Sequence, residues 1–290
     1  AEALRQSCNI YYIQLGQRVG SQTFYNYFDA FGFTSRTGVD LPSETGFMQY
    51  YKANQLGEVQ LASSAFGQAM AITPLQMCTA VAAAVNGGYL VTPHVVDKIT
   101  DSNGNVIEEV GANVRRQVIS ASTSDAIRQI MEYEVGNGTG GGKYAYVSGY
   151  RIGGKSGTSE QLNMDRRTDG DYKKVASFAA VLPADDPEII VYVMLDDPNN
   201  AKTDYSSLLA APVVGNIISE IAPYLGIAAD GEDRSQTVVT VPNLVGTEWS
   251  SAQVQLNIKG LRHQLAESTT SQAAAAVTYQ YPHDHSDRKS

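Results

Sequence analysis

The sequence predicts an α+β protein in which helices flank an antiparallel sheet, with a small α+β module after it. Apolar residues recur at helical spacing in several segments of the first 136 residues. Between residues 150 and 195 the apolar period changes to two, which indicates strands. A stretch of small and polar residues, 226–240, then precedes a last segment with its own apolar pattern. These three observations predict one large domain and a short appended one.

Composition narrows the possible classes of function. The chain has 290 residues, of which 43% are hydrophobic and 18% charged, enough for one sizeable core. Its formal net charge of −9 makes nucleic acid and anionic membranes poor partners, because both require a basic surface. The apolar runs are short and interrupted, so neither a transmembrane helix nor a signal peptide is predicted. Residues 1–6 already read as the middle of a helix, and we expect the chain to begin inside a longer one.

Helices dominate the prediction for the first part of the chain. One apolar face runs along residues 1–19, which predicts a single helix that a glycine ends. Ser21 is placed as the N-cap of a second helix that closes at Gly32. Residues 33–57 contain several Gly and Pro residues and predict a long surface loop, and a short helix follows over residues 59–65.

The next segment mixes helix and strand signals. Thr73-Pro74-Leu75-Gln76 is a strong helix start, because it combines an N-cap threonine, a first-turn proline and a glutamine that completes a capping box. Residues 95–107 read as two short strands about an Asn-Gly turn, which predicts a hairpin. Ser122 or Ser124 then opens another helix, which Gly136 closes.

The remaining elements of the large domain follow in order. The glycine-rich run 136–142 predicts a flexible connector, because no phosphate-loop lysine and hydroxyl residue follow it at the required spacing. Residues 150–161 predict a strand, since glycine pairs disfavour helix and the apolar positions alternate. Residues 175–182 and 188–195 predict two strands joined by a proline turn, and a helix carrying Val213–Ile221 comes last.

The strand at residues 150–161 carries the run Lys155-Ser156-Gly157-Thr158. In a strand, Lys155 and Gly157 point to one side, and Ser156 and Thr158 to the other. One interpretation is an edge strand with a glycine bulge and a surface lysine. The other is a cradle for an anionic, peptide-like ligand, formed by a cation, two hydroxyls and a backbone that glycine leaves approachable.

A Ser-x-Asn motif, Ser7-Cys8-Asn9, precedes that strand in the chain. Ser-x-Asn upstream of Lys-Ser-Gly-Thr resembles the motif pair of penicillin-binding proteins and serine β-lactamases. The sequence is therefore similar to the C-terminal part of the transpeptidase domain of a class B penicillin-binding protein, a peptidoglycan D,D-transpeptidase. Alone, Ser7 and Asn9 read as ordinary polar residues near a helix break, but the order of the two motifs favours the family.

Other segments extend the resemblance over residues 1–228 and imply an incomplete fold of the penicillin-binding protein and serine β-lactamase type. Three of these segments resemble the central helix region of the family. One segment resembles the hairpin that follows the Lys-Ser-Gly strand, and one resembles the start of the final helix. In that order they are Ala65–Gln68, Ile72–Met77, Asn86–Gly88, Ser177–Ala180 with Pro183–Pro187, and Ala210–Val213.

The resemblance implies roles for three catalytic residues. Ser7 belongs to the proton relay beside the lysine of the nucleophile. Asn9 hydrogen-bonds an amide of the substrate. Lys155 adds positive charge and orients Ser7, which requires that the two residues face each other across one groove.

The resemblance also implies a substrate-binding set. The hydroxyls of Ser156 and Thr158 receive the terminal carboxylate of the substrate, and the Thr158 N–H contributes to the oxyanion hole. Gly157 leaves room for the peptide to lie along the strand. Glu160 occupies a position where relatives carry Gln or Glu, so its role is left open.

The end of the chain resembles a truncated PASTA domain, a peptidoglycan-associated fold. Val241–Gly246, Gly260-Leu261 and Val277–Pro282 carry the resemblance. The chain is thus divided into a transpeptidase portion, a linker, a PASTA-like domain and a polar tail: residues 1–228, 229–240, 241–282 and 283–290. Two histidines lie in the tail without a partner cluster, so the interpretation is a solvated tail and not a metal site.

One motif of the family is missing from its expected place. The acylating serine lies in a Ser-x-x-Lys motif upstream of Ser-x-Asn, whereas this sequence has one Ser-x-x-Lys, Ser286–Lys289, in the polar tail. We interpret that match as chance, because a nucleophilic serine needs a helix start and a lysine with a lowered pKa. The isolated chain is therefore expected to be inactive. The alternative function is a non-catalytic muropeptide-binding protein with a degenerate cleft and a PASTA module.

Partners and location follow from the resemblance alone. It implies peptidoglycan stem peptides ending in D-Ala-D-Ala, β-lactams and other cell-wall synthesis proteins as partners, and no nucleic acid. It implies an extracytoplasmic location, with the full-length parent anchored in the cell membrane. Neither metal nor cofactor is predicted, and Cys8 and Cys78 form no disulfide framework, although a single bridge between them is open in an oxidising compartment.

Overall fold

The computed structural model describes residues 2–136, 140–161, 170, 172–198, 205–229, 239–240, 242–258, 261, 276–277 and 287–288. The chain folds into two compact units. The first comprises residues 1–128 and 159–175, and the second comprises residues 129–158 and 176–290. Helices and antiparallel strands occur in both units, which confirms the predicted α+β class.

The first unit begins with helices. They are α1 (Glu2–Arg5), α2 (Asn9–Val19), α3 (Ser21–Ala30), α4 (Glu58–Ala65) and α5 (Pro74–Val85). The segment between α3 and α4 contains one 3₁₀ turn, Ala53–Gln55, and a single bridge from Gln49 to Ala71, so it is mostly irregular as predicted.

The prediction of one continuous helix over residues 1–19 is wrong, because the helix is interrupted at Ser7. Ser7 has a φ of 49°, in the left-handed region, and Cys8 is extended with φ −73° and ψ 98°. The new helix α2 starts only at Asn9. The apolar periodicity missed the break because it reports side-chain spacing and not the backbone angle of one polar residue.

Two helix-end predictions had different outcomes. Ser21 does not cap α3; it is the first residue of that helix, and its hydroxyl donates to Leu56 O at 2.7 Å. The capping box of α5 is confirmed, since Gln76 N donates to Thr73 Oγ1 at 3.1 Å and Thr73 N donates to Gln76 Oε1 at 2.9 Å.

Four strands follow in the first unit: β1 (Tyr89–Thr92), β2 (Lys98–Thr100), β3 (Val106–Glu109) and β4 (Asn113–Gln117). The antiparallel pair β2–β3 confirms the predicted hairpin. The antiparallel pair β1–β4 was not predicted, because it joins strands that the hairpin separates in the chain. Helix α6 (Ala121–Gly136) then starts in this unit and ends in the second.

The first unit is closely packed where α2 meets α4. A Cβ added at Gly16 would lie 2.6 Å from the Cβ of Ala65, so the two helix backbones approach as only a glycine allows. Helix α5 packs on β1. The buried apolar side chains of this unit include Leu56, Leu61, Ala80, Ala83, Val85 and Leu90.

Most of a three-stranded sheet belongs to the second unit, in the order β5 (Gly153–Glu160), β6 (Lys174–Leu182) and β7 (Ile189–Asp196). The last two residues of β5 and the first two of β6 fall in the first unit. Ala184 N donates to Arg151 O, and Gln161 N donates to Lys173 O, so β5 and β6 run antiparallel. All three strands were predicted. The strand β5 lies at one edge of this sheet.

The long helix α7 (Ser206–Tyr224) packs on β7 and supplies much of the core. Its fully buried residues include Ala210, Ala211, Val214 and Ile218. The helix starts before Ala210–Val213, which the sequence placed at its beginning, and Pro212 lies inside it. Within the described residues α7 is the one helix long and apolar enough for a membrane span, with a mean hydropathy of 1.2. The sequence predicted no such helix; here its apolar face lies in the core.

The end of the chain forms a small cluster of its own. Helix α8 (Trp249–Ile258) buries Ala252 and Leu256 against Leu244, and Val277 packs beside them. Gly246 N donates to Val277 O at 2.7 Å, and Val277 N donates to Thr247 O at 2.8 Å. Most of Val277–Pro282, which carries part of the PASTA resemblance, and the two tail histidines lie outside the described residues.

Two short strands lie where the sequence placed a linker and a polar tail. They are β8 (Val239–Thr240) and β9 (Asp287–Arg288), which pair antiparallel. The sequence did not anticipate this pair because each strand has only two residues and its partner is distant in the chain.

Candidate functional site

Two glycines set the position of the Lys155 strand. A Cβ at Gly154 would lie 2.6 Å from the Phe178 ring, and a Cβ at Gly153 would lie 3.2 Å from the Cβ of Met131. The start of β5 therefore packs directly on α6 and β6, where no side chain fits. This contact fixes the strand immediately before Lys155.

Lys155 is a partly buried, ion-paired cation. Its side chain is 23% exposed, and Nζ lies 3.9 Å from Oε1 of Glu134, whose side chain is 1% exposed. Nζ also donates to Ser156 O at 2.9 Å and to Ser156 Oγ at 3.3 Å. Burial lowers the pKa of Lys155 below its ordinary value, and the charge of Glu134 acts in the opposite direction. These contacts favour the cradle interpretation over a surface lysine.

Thr158 is held by the first residue of α7. Its hydroxyl donates to Ser206 Oγ at 2.9 Å and accepts from Ser206 N at 3.4 Å. Ser206 is buried, with 3% of its surface exposed. The hydroxyl of Thr158 therefore lies at the N-terminus of a 19-residue helix, where backbone N–H groups and the helix dipole favour a negative charge.

The backbone of Gly157 lies close to the neighbouring strand. Ser177 Oγ donates to Gly157 O at 3.3 Å, and a Cβ at Gly157 would lie 3.0 Å from that hydroxyl. A side chain at position 157 would therefore displace Ser177 or shift the strand.

The described part of the glycine-rich run is a packed turn and not a flexible connector. Gly141 and Gly142 start a 3₁₀ turn that ends at Ala145. A Cβ at Gly141 would lie 3.1 Å from the Cβ of Ser207 and 3.8 Å from Ser156 Oγ. A Cβ at Gly142 would lie 3.1 Å from Cγ of Glu134. Glycine is needed here because the turn approaches both the Lys155 strand and α6.

Three predicted site residues belong to the first unit. Ser7 lies at the break between α1 and α2, with the positive φ described above, and Asn9 is the first residue of α2. Glu160 ends β5, and its N–H donates to Gln68 Oε1 at 3.3 Å. This bond joins Glu160 to the Ala65–Gln68 segment that the sequence singled out.

The predicted residues thus fall into two groups. Lys155, Ser156, Gly157 and Thr158 are brought together on β5 in the second unit. Ser7, Asn9 and Glu160 lie in the first unit. That Ser7 faces Lys155 across one groove stays a prediction.

Sequence reasoning missed Glu134 and Ser206. The sequence contained a signal for Glu134. This acidic residue continues the apolar spacing of Ile127, Ile130 and Met131 along α6, which places it on the face of the helix that points inward. Ser206 gave no signal, because it belongs to a helix that was predicted to begin later.

Neither thiol is bridged: Cys8 and Cys78 are both free, and burial raises the pKa of the Cys78 thiol. In the part of the chain that the structure describes, no three His, Cys, Asp or Glu side chains form a group that would hold a metal ion.

Comparison with known proteins agrees with these motifs. The family model described as penicillin binding protein transpeptidase domain matches residues 1–219. Stage V sporulation protein D of Bacillus subtilis is 35% identical over 269 residues, which cover 89% of this chain and 41% of that protein. The probable peptidoglycan D,D-transpeptidase FtsI of Caulobacter vibrioides is 32% identical over 252 residues, 83% of this chain and 40% of that protein.

Solved structures agree with the fold. Penicillin binding protein 3 of Mycobacterium tuberculosis, complexed with aztreonam, superposes with a TM-score of 0.68 at 29% identity, covering 78% of this chain and 51% of that one. Its ampicillin complex gives a TM-score of 0.69 at 28% identity, covering 80% and 52%. The chain spans about two fifths of the length of the two relatives named above. From its motifs, its fold and these matches, the chain belongs to the penicillin-binding protein transpeptidase family.

Proposed function

We propose that this chain provides part of the substrate cleft of a peptidoglycan D,D-transpeptidase that works by serine acyl transfer. The observation that carries the proposal is the arrangement of Lys155, Ser156 and Thr158 on the edge strand β5. The Lys155 Nζ lies 3.3 Å from the Ser156 hydroxyl, and the Thr158 hydroxyl contacts Ser206 at the N-terminus of α7. A relative at 32% identity bears the name of this activity, which supports the same assignment here.

The proposed substrate is a peptidoglycan stem peptide ending in D-Ala-D-Ala. An extended peptide adds to an edge strand through main-chain hydrogen bonds, and β5 has the position for this mode. The terminal carboxylate is received by the hydroxyls of Ser156 and Thr158, with the charge of Lys155 nearby. The Thr158 hydroxyl has one proton, so it turns this proton from Ser206 to the ligand. Gly157 adds no side chain that would obstruct a peptide alongside the strand.

The Ser-x-x-Lys, Ser-x-Asn and Lys-Ser-Gly-Thr motifs have different roles in the proposed reaction. The serine nucleophile attacks the carbonyl carbon between the two D-alanines, and the terminal D-Ala leaves with a proton on its amine. Ser7 passes that proton within the relay, and Asn9 binds a substrate amide. The Thr158 N–H donates to the oxyanion that forms at the carbonyl. An acceptor amine then attacks the acyl-enzyme; the ester bond to the serine breaks, the serine oxygen takes a proton from the amine, and the new amide is the cross-link.

We also propose that the 290-residue chain alone is not acylated. The one Ser-x-x-Lys in its sequence, Ser286–Lys289, follows the other two motifs in the sequence, whereas the family has it before Ser-x-Asn. Its Ser-x-Asn and Lys-Ser-Gly-Thr motifs would then act together with a Ser-x-x-Lys from a complete protein.

β-Lactams are proposed as inhibitors of the complete protein. The solved relatives complexed with aztreonam and ampicillin support this, because they share the fold at 28–29% identity. The proposed location is extracytoplasmic in a membrane-anchored parent, where peptidoglycan is assembled, with cell-wall synthesis proteins as neighbours.

The cluster around α8 is proposed to be a PASTA-like module that binds peptidoglycan. The match to stage V sporulation protein D supports a shared segment there, because it covers 89% of this chain and the family model covers only residues 1–219. The helix α8 and its small buried cluster give this segment its own core.

Fluorescent penicillin tests the catalytic proposal. The protein that the same reading frame encodes in full should be labelled at a serine, whereas the 290-residue chain should remain unlabelled. Serine labelling of the 290-residue chain would refute its inactivity. Failure of the complete protein to react would refute the transpeptidase assignment and favour the non-catalytic muropeptide-binding alternative.

Peptide binding tests the cleft independently of acylation. Acetyl-Lys-D-Ala-D-Ala added to the 290-residue chain should shift the amide NMR signals of Ser156 and Thr158. The variant Lys155→Gln should weaken binding by about tenfold, a loss in the range of one charge-assisted hydrogen bond. Lys143→Gln is the matched control, because that lysine lies over the Tyr144 ring at 5.1 Å. No shift at Ser156 and Thr158 would place the peptide elsewhere.

A further inference from the structure

We propose that Glu134 is a positioning residue for Lys155: a buried carboxylate that keeps the lysine charged and holds its head group toward Ser156. The inference rests on the proposed function, in which Lys155 supplies the positive charge of the cleft. Neither the motif pair nor the roles assigned above include Glu134.

The geometry shows a site built around the carboxylate. Glu134 lies in the last turn of α6, and its side chain is 1% exposed. Lys155 Nζ lies 3.9 Å from its Oε1. Gly142 covers Glu134 from the glycine-rich turn, where a Cβ would lie 3.1 Å from Glu134 Cγ. A larger residue at position 142 would displace the carboxylate from the lysine.

The position of Glu134 makes a nearby cation necessary if the carboxylate is ionised. Transfer of a carboxylate from water into a protein interior is unfavourable unless an opposite charge or hydrogen bonds compensate for it. The last turn of a helix adds to this cost, because the helix dipole is negative at its C-terminus. Lys155 supplies the compensating charge across 3.9 Å.

The charge of Glu134 in turn stabilises the protonated form of Lys155. Burial lowers the pKa of Lys155, which favours the neutral amine, and the Glu134 charge raises it again. An ammonium group has three donors. The bonds to Ser156 O and Oγ set the direction of the head group, and the attraction of Glu134 acts from α6. A neutral lysine would lose the attraction for a substrate carboxylate.

The other charged groups of α6 and of the glycine-rich turn have partners of their own. Glu132, also on α6, pairs with Arg151, which contacts Asp185 as well. Lys143 of the glycine-rich turn lies over the Tyr144 ring. Uncharged hydroxyls face the strand from β6 and α7: Ser177, Ser206 and Ser207. The charge of Glu134 is therefore the one expected to control the charge state of Lys155.

NMR titration of the lysine side-chain carbons tests the inference on the 290-residue chain without any activity assay. The Lys155 signal is assigned by its loss in Lys155→Arg. In Glu134→Gln, the pKa of Lys155 should fall by about one unit or more, the range expected for an opposite charge at this distance. Glu132→Gln is the matched control, because it removes a carboxylate from the same helix and should leave the Lys155 titration unchanged.

An unchanged Lys155 pKa in Glu134→Gln would overturn the inference. Should that variant fail to fold, the Glu134 carboxyl carbon is titrated in the unaltered chain; a neutral carboxyl at about pH 7 would overturn the inference, and an ionised one would support it. Penicillin labelling separates the two proposals. If the pKa of Lys155 shifts in Glu134→Gln but the complete protein is not labelled, the transpeptidase function is refuted and the Glu134–Lys155 interaction stands. If the complete protein is labelled but the pKa of Lys155 does not shift, the function stands and the role of Glu134 is refuted.

Discussion

The hydroxyl of Thr158 donates to the buried hydroxyl of Ser206 at 2.9 Å and accepts from the N–H of the same residue at 3.4 Å. Ser206 begins α7, whose first N–H groups have no partner inside the helix. A threonine of the Lys-Ser-Gly-Thr strand therefore completes the start of the main core helix from outside it. The proposed carboxylate-binding strand and the core of the second unit are coupled through this contact.

The coupling is measurable as a double-mutant cycle. Thr158→Val and Ser206→Ala each remove a hydroxyl from the pair, and their combined effect on the free energy of unfolding should be less than the sum. The expected coupling is about 1 kcal/mol, the net value of one hydrogen bond. Urea denaturation gives the three values, with Ser207→Ala replacing Ser206→Ala as the control. Additive effects of Thr158→Val and Ser206→Ala would show that the contact contributes nothing.

Gly16→Ala should destabilise the first unit although alanine favours helix. The propensity gain is about 1 kcal/mol, but the new Cβ would lie 2.6 Å from the Cβ of Ala65 and force α2 and α4 apart. Overpacking of this kind costs about 1–3 kcal/mol. Urea denaturation should therefore show a net loss of about 1 kcal/mol. In an Ala65→Gly background the same substitution should become neutral or stabilising; an equal loss in both backgrounds would contradict the proposed contact.

Gln76→Glu should be far more harmful than Gln55→Glu, although the side chain of each glutamine accepts from the N-cap N–H of its own helix or turn. Gln76 is 2% exposed, and its Nε2 donates to Ser35 O at 2.8 Å and Gly32 O at 3.3 Å. A carboxylate has no donor for these carbonyls and would be buried beside them, so we expect a loss of about 3 kcal/mol in unfolding free energy.

Gln55→Glu is the matched control for that comparison. Gln55 accepts from Lys52 N at 2.9 Å on an exposed turn, and a glutamate keeps this acceptor. Its expected effect is below about 0.5 kcal/mol. Similar losses for the two variants would mean that the amide of Gln76 does not hold the segment that follows α3.

Glu44 should make stability depend on pH. Burial raises the pKa of Glu44, but hydrogen bonds from Thr37 N, Thr37 Oγ1 and Gly38 N outweigh it and hold that pKa below its ordinary value. A depressed pKa in the folded state stabilises the protein above the ordinary carboxyl pKa, and this contribution is lost as pH falls through the folded-state value.

The test is the melting temperature of Glu44→Gln at two pH values. At about pH 7 the variant should melt at a lower temperature than the unaltered chain. The carboxylate of Glu44 accepts hydrogen bonds through both oxygens, whereas the amide of glutamine would turn its NH₂ donor toward one of these donors. At about pH 3 the difference should shrink, since this pH lies below the ordinary carboxyl pKa and the contribution of a depressed pKa is lost as pH falls. Glu108→Gln, on the exposed strand β3, should show no such pH-dependent difference. A constant deficit at both pH values would rule out the carboxylate as its cause.

Local signals in the sequence were sufficient for several elements. The capping box at Thr73 and Gln76 predicted the start of α5, because both bonds join residues three apart. The turn residues Asn103 and Gly104 predicted the β2–β3 hairpin, because a short turn also joins residues that are close in the chain. The helix over residues 1–19 was wrong because one residue, Ser7, leaves the helical backbone region without any change in apolar spacing.

The sequence by itself determined the motif order, the strand that carries Lys155 to Thr158 and the resemblance to a transpeptidase, since these depend on neighbouring residues. Only the tertiary structure decided that Lys155 lies beside the buried Glu134, that Thr158 meets Ser206, and that β1 pairs with β4. Each of those contacts joins residues far apart in the chain. Their distances depend on how whole helices and strands pack, which no local pattern encodes.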